Sequence, residues 1–354
     1  MAIHKDILTP SSVRTARAIT INTLYSQFCS VTRKKVYVTR NVPGPCVSIL
    51  SGECEVTLHK KSDPPSRKEM LKNIAGKDGL LCMLSDKIDV ELMDAAGPNL
   101  KVISSYSTGY EHIDVKAATA RGIRVTFTAD ILAEATADLT FGLLLACARN
   151  VVKGDVFVRE GRWKVGWMPD LMLGYDVHGA TLGIIGLGRI GSAVARRAKG
   201  FGMKVIYNNR NRNVEAENES GTSFVELDDL FRQSDFISIH TSLNSSSRHM
   251  INLTKLELMK KTAFIINTSR GPVINEADLA KALRQGMIAG AGLDVFVKEP
   301  LPSISPLARI KNVILLPHIG SASIGTRSKM GKVAADNLIS VLNGREPDPK
   351  FVVN

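Results

Sequence analysis

Short apolar runs recur along two stretches of the chain, separated by segments with helical periodicity. In the first stretch the runs are KVYVT (35–39), CEVTL (54–58), GLLCM (79–83), LKVIS (100–104) and IRVTF (123–127). In the second they are TLGIIG (181–186), MKVIY (203–207), DFISIH (235–240), AFIINT (263–268), AGAGLDV (289–295) and NVILLP (312–317). Most are apolar at successive positions rather than at alternate ones, the mark of strands buried on both faces. Helical periods lie near 66–75, 87–96 and 111–121, then in SAVARRAKGFG (192–202) and NEADLAKALRQG (275–286). Asn275 can cap the last of these and Gly286 can end it. Strand and helix in alternation predict an α/β protein with parallel sheets covered on both faces. Asp130 to Asn150 reads as one long, mostly apolar helix, either a core helix or a subunit contact. Val151–Leu173 reads as looser and holds both tryptophans, Trp163 and Trp167. A final helix over about 324–343 is expected to pack back on the first unit.

Length and composition refine this picture. A chain of 354 residues suits two domains, each with its own core. It contains no run of eighteen or more apolar residues, so no transmembrane helix is expected. The formal charge of +12 invites a nucleic-acid reading, but aromatics are only 5% and there is no long Lys/Arg block. A smaller anion, such as a phosphorylated cofactor or an acidic substrate, fits better, and neither nucleic acid nor membrane is expected as a partner. The five cysteines include no C-x-x-C pair, and Cys82 and Cys147 lie in apolar runs. A zinc site or disulfide framework is therefore not expected, and a reducing compartment is. Residues 1–34 form a basic, Ser/Thr-rich leader whose one acid is Asp6. Such a segment is either an organelle transit peptide, implying a mitochondrial protein, or a disordered extension of a cytosolic one.

The chemistry concentrates in the second stretch. G-L-G-R-I-G (186–191) follows one strand and opens a helix, the context in which this motif binds a dinucleotide. Gly186 permits the tight turn, Gly188 lets a pyrophosphate approach the backbone, and Gly191 allows close helix–strand packing. An NAD site would place an acid at the end of the next strand. The chain instead reads VIYNNRNR (205–212). Asn208 does not repel a 2′-phosphate, and Arg210 and Arg212 can bond to one. NADP(H) is thus favoured over NAD(H). Arg270, Glu299 and His318 each follow a late strand, at the sheet edge where ligands of open parallel sheets bind. His318 can donate the proton that carbonyl reduction requires. Glu299 can hold the imidazole and favour its charged form, and Arg270 can pin a carboxylate and polarise a ketone.

GLGRIG, NTSRGPVIN, GAGLDVFVKEPL and LPHIGSAS resemble the signature blocks of the D-2-hydroxyacid dehydrogenase family, and SDKIDVELMDAAGPNLKVISSYSTGYEHID resembles its animal glyoxylate/hydroxypyruvate reductase branch. The resemblance covers about residues 35–346. It implies two Rossmann-like or flavodoxin-like domains: a substrate domain made of 35–130 and 322–354, and an NADP-binding domain, 131–321, inserted into it. It implies that Arg270, Glu299 and His318 are catalytic. Ser107, Thr108 and Gly109 match the loop that holds the substrate carboxylate, although Thr108 stands where a smaller apolar residue is usual, and Ser321 matches a substrate-side position. Gly188, Arg189 and Ile190 match pyrophosphate contacts, and Asn209 to Arg212 match the 2′-phosphate loop. Ser242, Thr268, Asp294 and Gly320 match further cofactor contacts. The helix near 135–150 would be a homodimer contact, with Trp167, or else Trp163, reaching the neighbouring active site. The implied activity is NADPH-dependent reduction of glyoxylate to glycolate and hydroxypyruvate to D-glycerate. The alternatives are another member of the family, such as a D-3-phosphoglycerate dehydrogenase, and a non-enzymatic dinucleotide-sensing corepressor of the same fold.

Overall fold

A computed structural model describes residues 33–354. The leader reading falls, through residue 32, outside the described residues. The first unit builds on β1 (Lys35–Val38), α1 (Cys46–Glu53), β2 (Glu55–Leu58), α2 (Arg67–Ile74), β3 (Gly79–Cys82), α3 (Val90–Ala96), β4 (Val102–Ser105), α4 (Val115–Ala120) and β5 (Arg124–Thr126). Its strands form one parallel sheet in the order β2-β1-β3-β4-β5. Pleating sends Val36 and Val38 to one face and Tyr37 to the other, and each face carries its own core. Two local devices fix the helices. Ser66 and Glu69 form a reciprocal capping box at the start of α2, and the Asp89 carboxylate caps α3.

A 3-10 turn (Ala129–Leu132) leads into α5 (Ala133–Ala148) and then α6 (Val151–Arg159). The expected single helix from 130 to 150 therefore starts with a tighter turn, and Asn150, at φ 55°, separates it from a second helix. That second helix lies where a looser segment was expected. It buries none of its residues, so its Val-rich face carries no core pattern for a sequence reading to detect. Ala129–Ala148 has the length and mean hydropathy (1.6) of a membrane span, which the test for an unbroken apolar run overlooked. Here its buried side, with Phe141, Leu143 and Leu144, packs on the second sheet.

The second unit comprises β6 (Thr181–Ile185), α7 (Arg189–Gly200), β7 (Lys204–Asn208), α8 (Val214–Ser220), β8 (Ser223–Phe224), α9 (Leu227–Gln233), β9 (Phe236–Ile239), α10 (Leu253–Leu256), β10 (Phe264–Asn267), α11 (Glu276–Arg284), β11 (Gly290–Leu293) and β12 (Val313–Leu315). Its parallel sheet runs β12-β11-β10-β9-β6-β7-β8. Strand order reverses between β6 and β9, and a crevice opens beyond the carboxyl ends of strands at such a point. Asn275 caps α11 by accepting from the amides of Ala277 and Asp278. The final helix, α12 (Ile324–Leu342), returns to the first sheet. Its Met330, Ala334 and Leu338 join the core around Val36 and Leu81, and Ser104 Oγ donates to Ala334 O at 2.9 Å.

Candidate active site

The carboxyl ends of both sheets face one cleft of about 620 Å3. Arg270, Glu299, His318, Ser107, Thr108, Gly109, Ile190, Ser242, Thr268, Asp294, Gly320 and Ser321 all line it, so residues spread over more than two hundred positions converge. His318 Nδ1 and Glu299 Oε2 lie 2.6 Å apart, and the other carboxylate oxygen, Oε1, accepts from the Phe296 amide at 2.9 Å. Among the described residues, nothing engages His318 Nε2. Burial raises the Glu299 pKa, but the His318 bond, the Phe296 N–H and the nearby Arg270 charge outweigh it, and the carboxyl sits below its ordinary range.

Backbone fasteners hold the histidine. His318 has φ 55°, a left-handed conformation unusual for a non-glycine residue. Its amide donates to Asp294 O at 2.9 Å, while the Asp294 carboxylate accepts from the Ile319 and Gly320 amides, both at 2.8 Å. Asp294 is fully buried, and burial pushes its pKa up against the pull of those two amides. The family resemblance marks Asp294 as a cofactor contact. In the structure it first serves to fix the His318 loop.

Arg270 sits on a comparable clip. Asn267 Oδ1 accepts from the Ser269 amide and hydroxyl, and Asn267 Nδ2 donates to Arg270 O at 3.0 Å. Gly271 follows because a Cβ there would lie 1.9 Å from the Phe296 carbonyl carbon, so only glycine lets this loop cross the one bearing Glu299. Arg270 Nε lies 3.4 Å from Glu111 Oε1, across the cleft on the first unit. Neither Asn267 nor Glu111 was singled out from the sequence. Asn267 lies within the quoted NTSRGPVIN block, so its polar side chain at a strand end was the available signal. Glu111 had none.

The loop Ser107–Gly109 closes the other side. Ser107 Oγ donates to Gly109 O at 2.5 Å, and Thr108 Oγ1 donates to Ala129 O at 3.0 Å. Among the described residues, nothing accepts from the Thr108 and Gly109 amides, so both can serve an incoming oxygen. Beneath them lies His112, whose Nε2 is 3.3 Å from Ser105 Oγ, itself 2.7 Å from Ser107 Oγ. Burial pushes His112 down to about 4 from 6.5, and pushes His240, also on the cleft, down to about 3. Below pH 6.5 the unfolded chain takes up protons that these native imidazoles refuse, so stability falls as the pH drops from 6.5 toward 4. The His112 share is on the order of 3 kcal/mol. Melting temperatures of wild type and His112→Gln across that range should show a shallower acid loss in the variant. Parallel curves would exclude the assignment.

The glycine turn fits a dinucleotide. Gly186 sits at φ 101°, with His240 C and O 2.8 Å from where a Cβ would be. A Cβ on Gly191 would lie 2.1 Å from Gly186 O, whereas one on Gly188 would meet nothing within 4 Å, leaving its backbone open to a ligand. Helix α7 starts at Arg189, inside the motif and earlier than expected, so its first amides adjoin that opening. Arg189 pairs with Asp130. Asn209 Oδ1 accepts from the Leu187 amide at 2.6 Å and thereby ties the two cofactor loops together. Arg212 is not a free cation: its Nε and Nη2 bind Glu217 at 2.7 and 2.8 Å, while its side chain stays 61% exposed. Glu217 is 10% exposed and is held down at about 2 by Arg212 and Tyr207. Arg210, whose Nη2 reaches Ser246 Oγ at 3.2 Å, makes no ion pair among the described residues. Trp167, 86% exposed, and Trp163, 55% exposed, do not line this chain's own cleft.

Two parallel sheets meeting at a cleft, a glycine turn at the switch point and a paired imidazole and carboxylate together define an NAD(P)-binding oxidoreductase. Residues 141–320 match the model of the D-isomer specific 2-hydroxyacid dehydrogenase NAD-binding domain. The glyoxylate reductase of Korarchaeum cryptofilum is 49% identical over 315 residues, covering 89% of this chain and 95% of the relative. That of Thermofilum pendens is 50% identical over 317 residues, covering 89% and 93%. The crystal structure of the NADPH-dependent glyoxylate/hydroxypyruvate reductase of Sinorhizobium meliloti with NADP and malonate superposes with TM-score 0.77 at 32% identity, covering 91% of this chain and 99% of that one. The chain belongs to the D-isomer specific 2-hydroxyacid dehydrogenase family.

Proposed function

We propose that this enzyme reduces glyoxylate to glycolate and hydroxypyruvate to D-glycerate with NADPH. The observation that carries the reading is the His318–Glu299 pair, 2.6 Å apart and sharing one cleft with Arg270. Its support among relatives is their naming as glyoxylate reductases at about half identity. Reduced nicotinamide, when bound along the Gly186–Gly191 turn, supplies the hydride. The protein's own groups do the rest. Arg270 and the Thr108 and Gly109 amides hold the substrate carboxylate, which takes the place of Glu111 at the guanidinium. His318 Nε2 gives its proton to the keto oxygen, while Glu299 keeps the ring oriented through Nδ1. Spectrophotometric NADPH oxidation against glyoxylate, hydroxypyruvate, pyruvate and 3-phosphohydroxypyruvate tests the assignment. Turnover of the phosphorylated acid alone, or of none, would overturn it.

The NADPH preference rests on Arg210 beside an uncharged strand end, where Asn208, in the place of an acid, donates through Nδ2 to Val225 O at 2.9 Å. A charge-assisted bond of about 1.5–3 kcal/mol predicts that Arg210→Asp lowers the NADPH:NADH ratio of kcat/KM by roughly tenfold or more. The dissociation constant for NADP+, from fluorescence titration, should rise with it. An unchanged ratio would move the preference elsewhere.

A homodimer completes the proposal. Val151, Val152, Val156, Val158 and Trp167 lie exposed on α6 and the loop after it, a group of apolar side chains that a second copy of the chain could cover. Sedimentation equilibrium should give twice the chain mass, and a monomer at micromolar concentration would refute it.

A further inference from the structure

The catalytic groups and the cofactor turn account for only part of the cleft wall. The remainder is formed by the carboxyl ends of β1, β3 and β4 together with the first turn of α12, and it presents two arginines, Arg40 and Arg327. Arg40 has one long ion pair, to buried Asp86, and Arg327 has none among the described residues. Arg40 is 15% exposed in its side chain. Its Nη2 donates to Ser85 Oγ at 3.1 Å, and its Nη1 is buried with no partner. The nearest carboxylate, Asp86, has Oδ1 3.8 Å away, and its Oδ2 is already taken by the Thr39 hydroxyl at 2.5 Å and the Met83 amide at 2.8 Å. Arg327 carries its Nε buried and unpartnered, and among the described residues its guanidinium makes no ion pair. Tyr106, also on the cleft, donates its hydroxyl to Arg327 O at 2.8 Å and so fixes the backbone that bears the guanidinium.

Each guanidinium keeps one buried N–H without an acceptor, Arg40 Nη1 and Arg327 Nε, and both side chains line one wall of the cleft, which points to an acceptor that arrives with the ligand. The carboxylate and keto oxygen of a two-carbon acid are already served by Arg270, the Thr108 and Gly109 amides and His318. A further oxygen must therefore sit on the substrate's far end. We propose that Arg40 and Arg327 form a second, cationic subsite that takes an oxygen-bearing substituent at the distal end of a 2-oxo acid, binding a carboxylate there more tightly than a hydroxyl and a hydroxyl more tightly than a methyl. This rests on the 2-oxo acid reading above and adds to it the chain-length and charge preference of the same cleft. A guanidinium facing a methyl stays unpaired, so the discrimination arises as much from rejecting the apolar analogue as from holding the polar one.

The test uses the full-length protein and Arg40→Met, Arg327→Met and their double variant, with four acids: glyoxylate, pyruvate, hydroxypyruvate and oxaloacetate. The expected result is that kcat/KM for hydroxypyruvate, relative to glyoxylate in the same variant, falls roughly tenfold or more, and that for oxaloacetate falls further. The pyruvate-to-glyoxylate ratio should hold or rise. If all four acids decline together, or the ratios do not move, the subsite is refuted. Arg40 also neighbours Asp86, so Arg40→Lys serves where Arg40→Met fails to fold, and a lysine that restores oxaloacetate turnover over Met supports the charge. A second readout separates this proposal from the function it rests on. Calorimetry of wild type and Arg327→Met with NADP+ present should show tartronate losing affinity in the variant while oxalate does not. That comparison stands even if glyoxylate is not turned over, and equal losses for both diacids would overturn the subsite on its own.

Discussion

His318→Asn is expected to lower kcat for glyoxylate by roughly 100- to 10,000-fold while NADPH binding persists. The size follows from what His318 alone provides. Its Nδ1 is tied to Glu299, which leaves Nε2 as the one ring nitrogen able to pass a proton into the cleft. No other cleft imidazole can replace it: His240 is buried and pushed down to about 3, so it is neutral at working pH and carries no proton to spare. Glu299→Gln should act more gently. It removes one charge-assisted hydrogen bond of about 1.5–3 kcal/mol, or about ten- to a hundredfold, while keeping a side chain of the same shape. The pH behaviour has a definite sign. The Glu299 carboxyl titrates below its ordinary range, so its contribution to stability is complete above about 4.5 and is lost only as the pH falls through its lower folded value. The Gln variant lacks that acid-side loss. Steady-state kinetics with a cofactor titration checks both variants, and a His318→Asn enzyme within threefold of wild type would remove the proton-donor role.

The parallel sheets were legible because strands buried on two faces read as unbroken apolar runs, and the glycine turn because its spacing serves a single backbone path. Arg270, Glu299 and His318 were legible for a related reason, since each lies in the loop that follows a late strand. What escaped has physical causes. Helix α6 has no buried residue, so its valines carry no core periodicity that would mark them as a helix. The edge strand β8 is two residues long. Glu215, Glu217 and Glu219 alternate in one short segment, and nothing in their spacing says that Glu217 turns inward to seize Arg212. Glu111 lies 159 positions from Arg270, and only the closing of the cleft brings the two together. The fastening roles of Asn267 and Asp294 depend on backbone amides, which no residue pattern displays.

Arg270→Met should lower kcat/KM for glyoxylate by roughly 100- to 10,000-fold, through KM as well as kcat. A substrate carboxylate can accept two charge-assisted hydrogen bonds from a guanidinium, each about 1.5–3 kcal/mol, and methionine keeps the length while removing both. Glu111 makes the contrast informative. It faces Arg270 at 3.4 Å, and both side chains are partly exposed, so the pair itself contributes little to stability. Its consequence is competition, because an incoming carboxylate must displace one already present. Removing the competitor with Glu111→Gln should lower KM, the opposite sign to Arg270→Met, with little change in melting temperature. The loop runs close beneath them: a Cβ at position 109 would lie 1.9 Å from Arg270 Nη2 and 2.3 Å from Glu111 Oε2, so a larger residue would push both tips aside. The guanidinium, its competitor and the amide that shares the carboxylate are therefore packed as one unit. If Arg270→Met and Glu111→Gln both raised KM, the two residues would be cooperating in substrate binding rather than competing for it, and the displacement step would have to be abandoned.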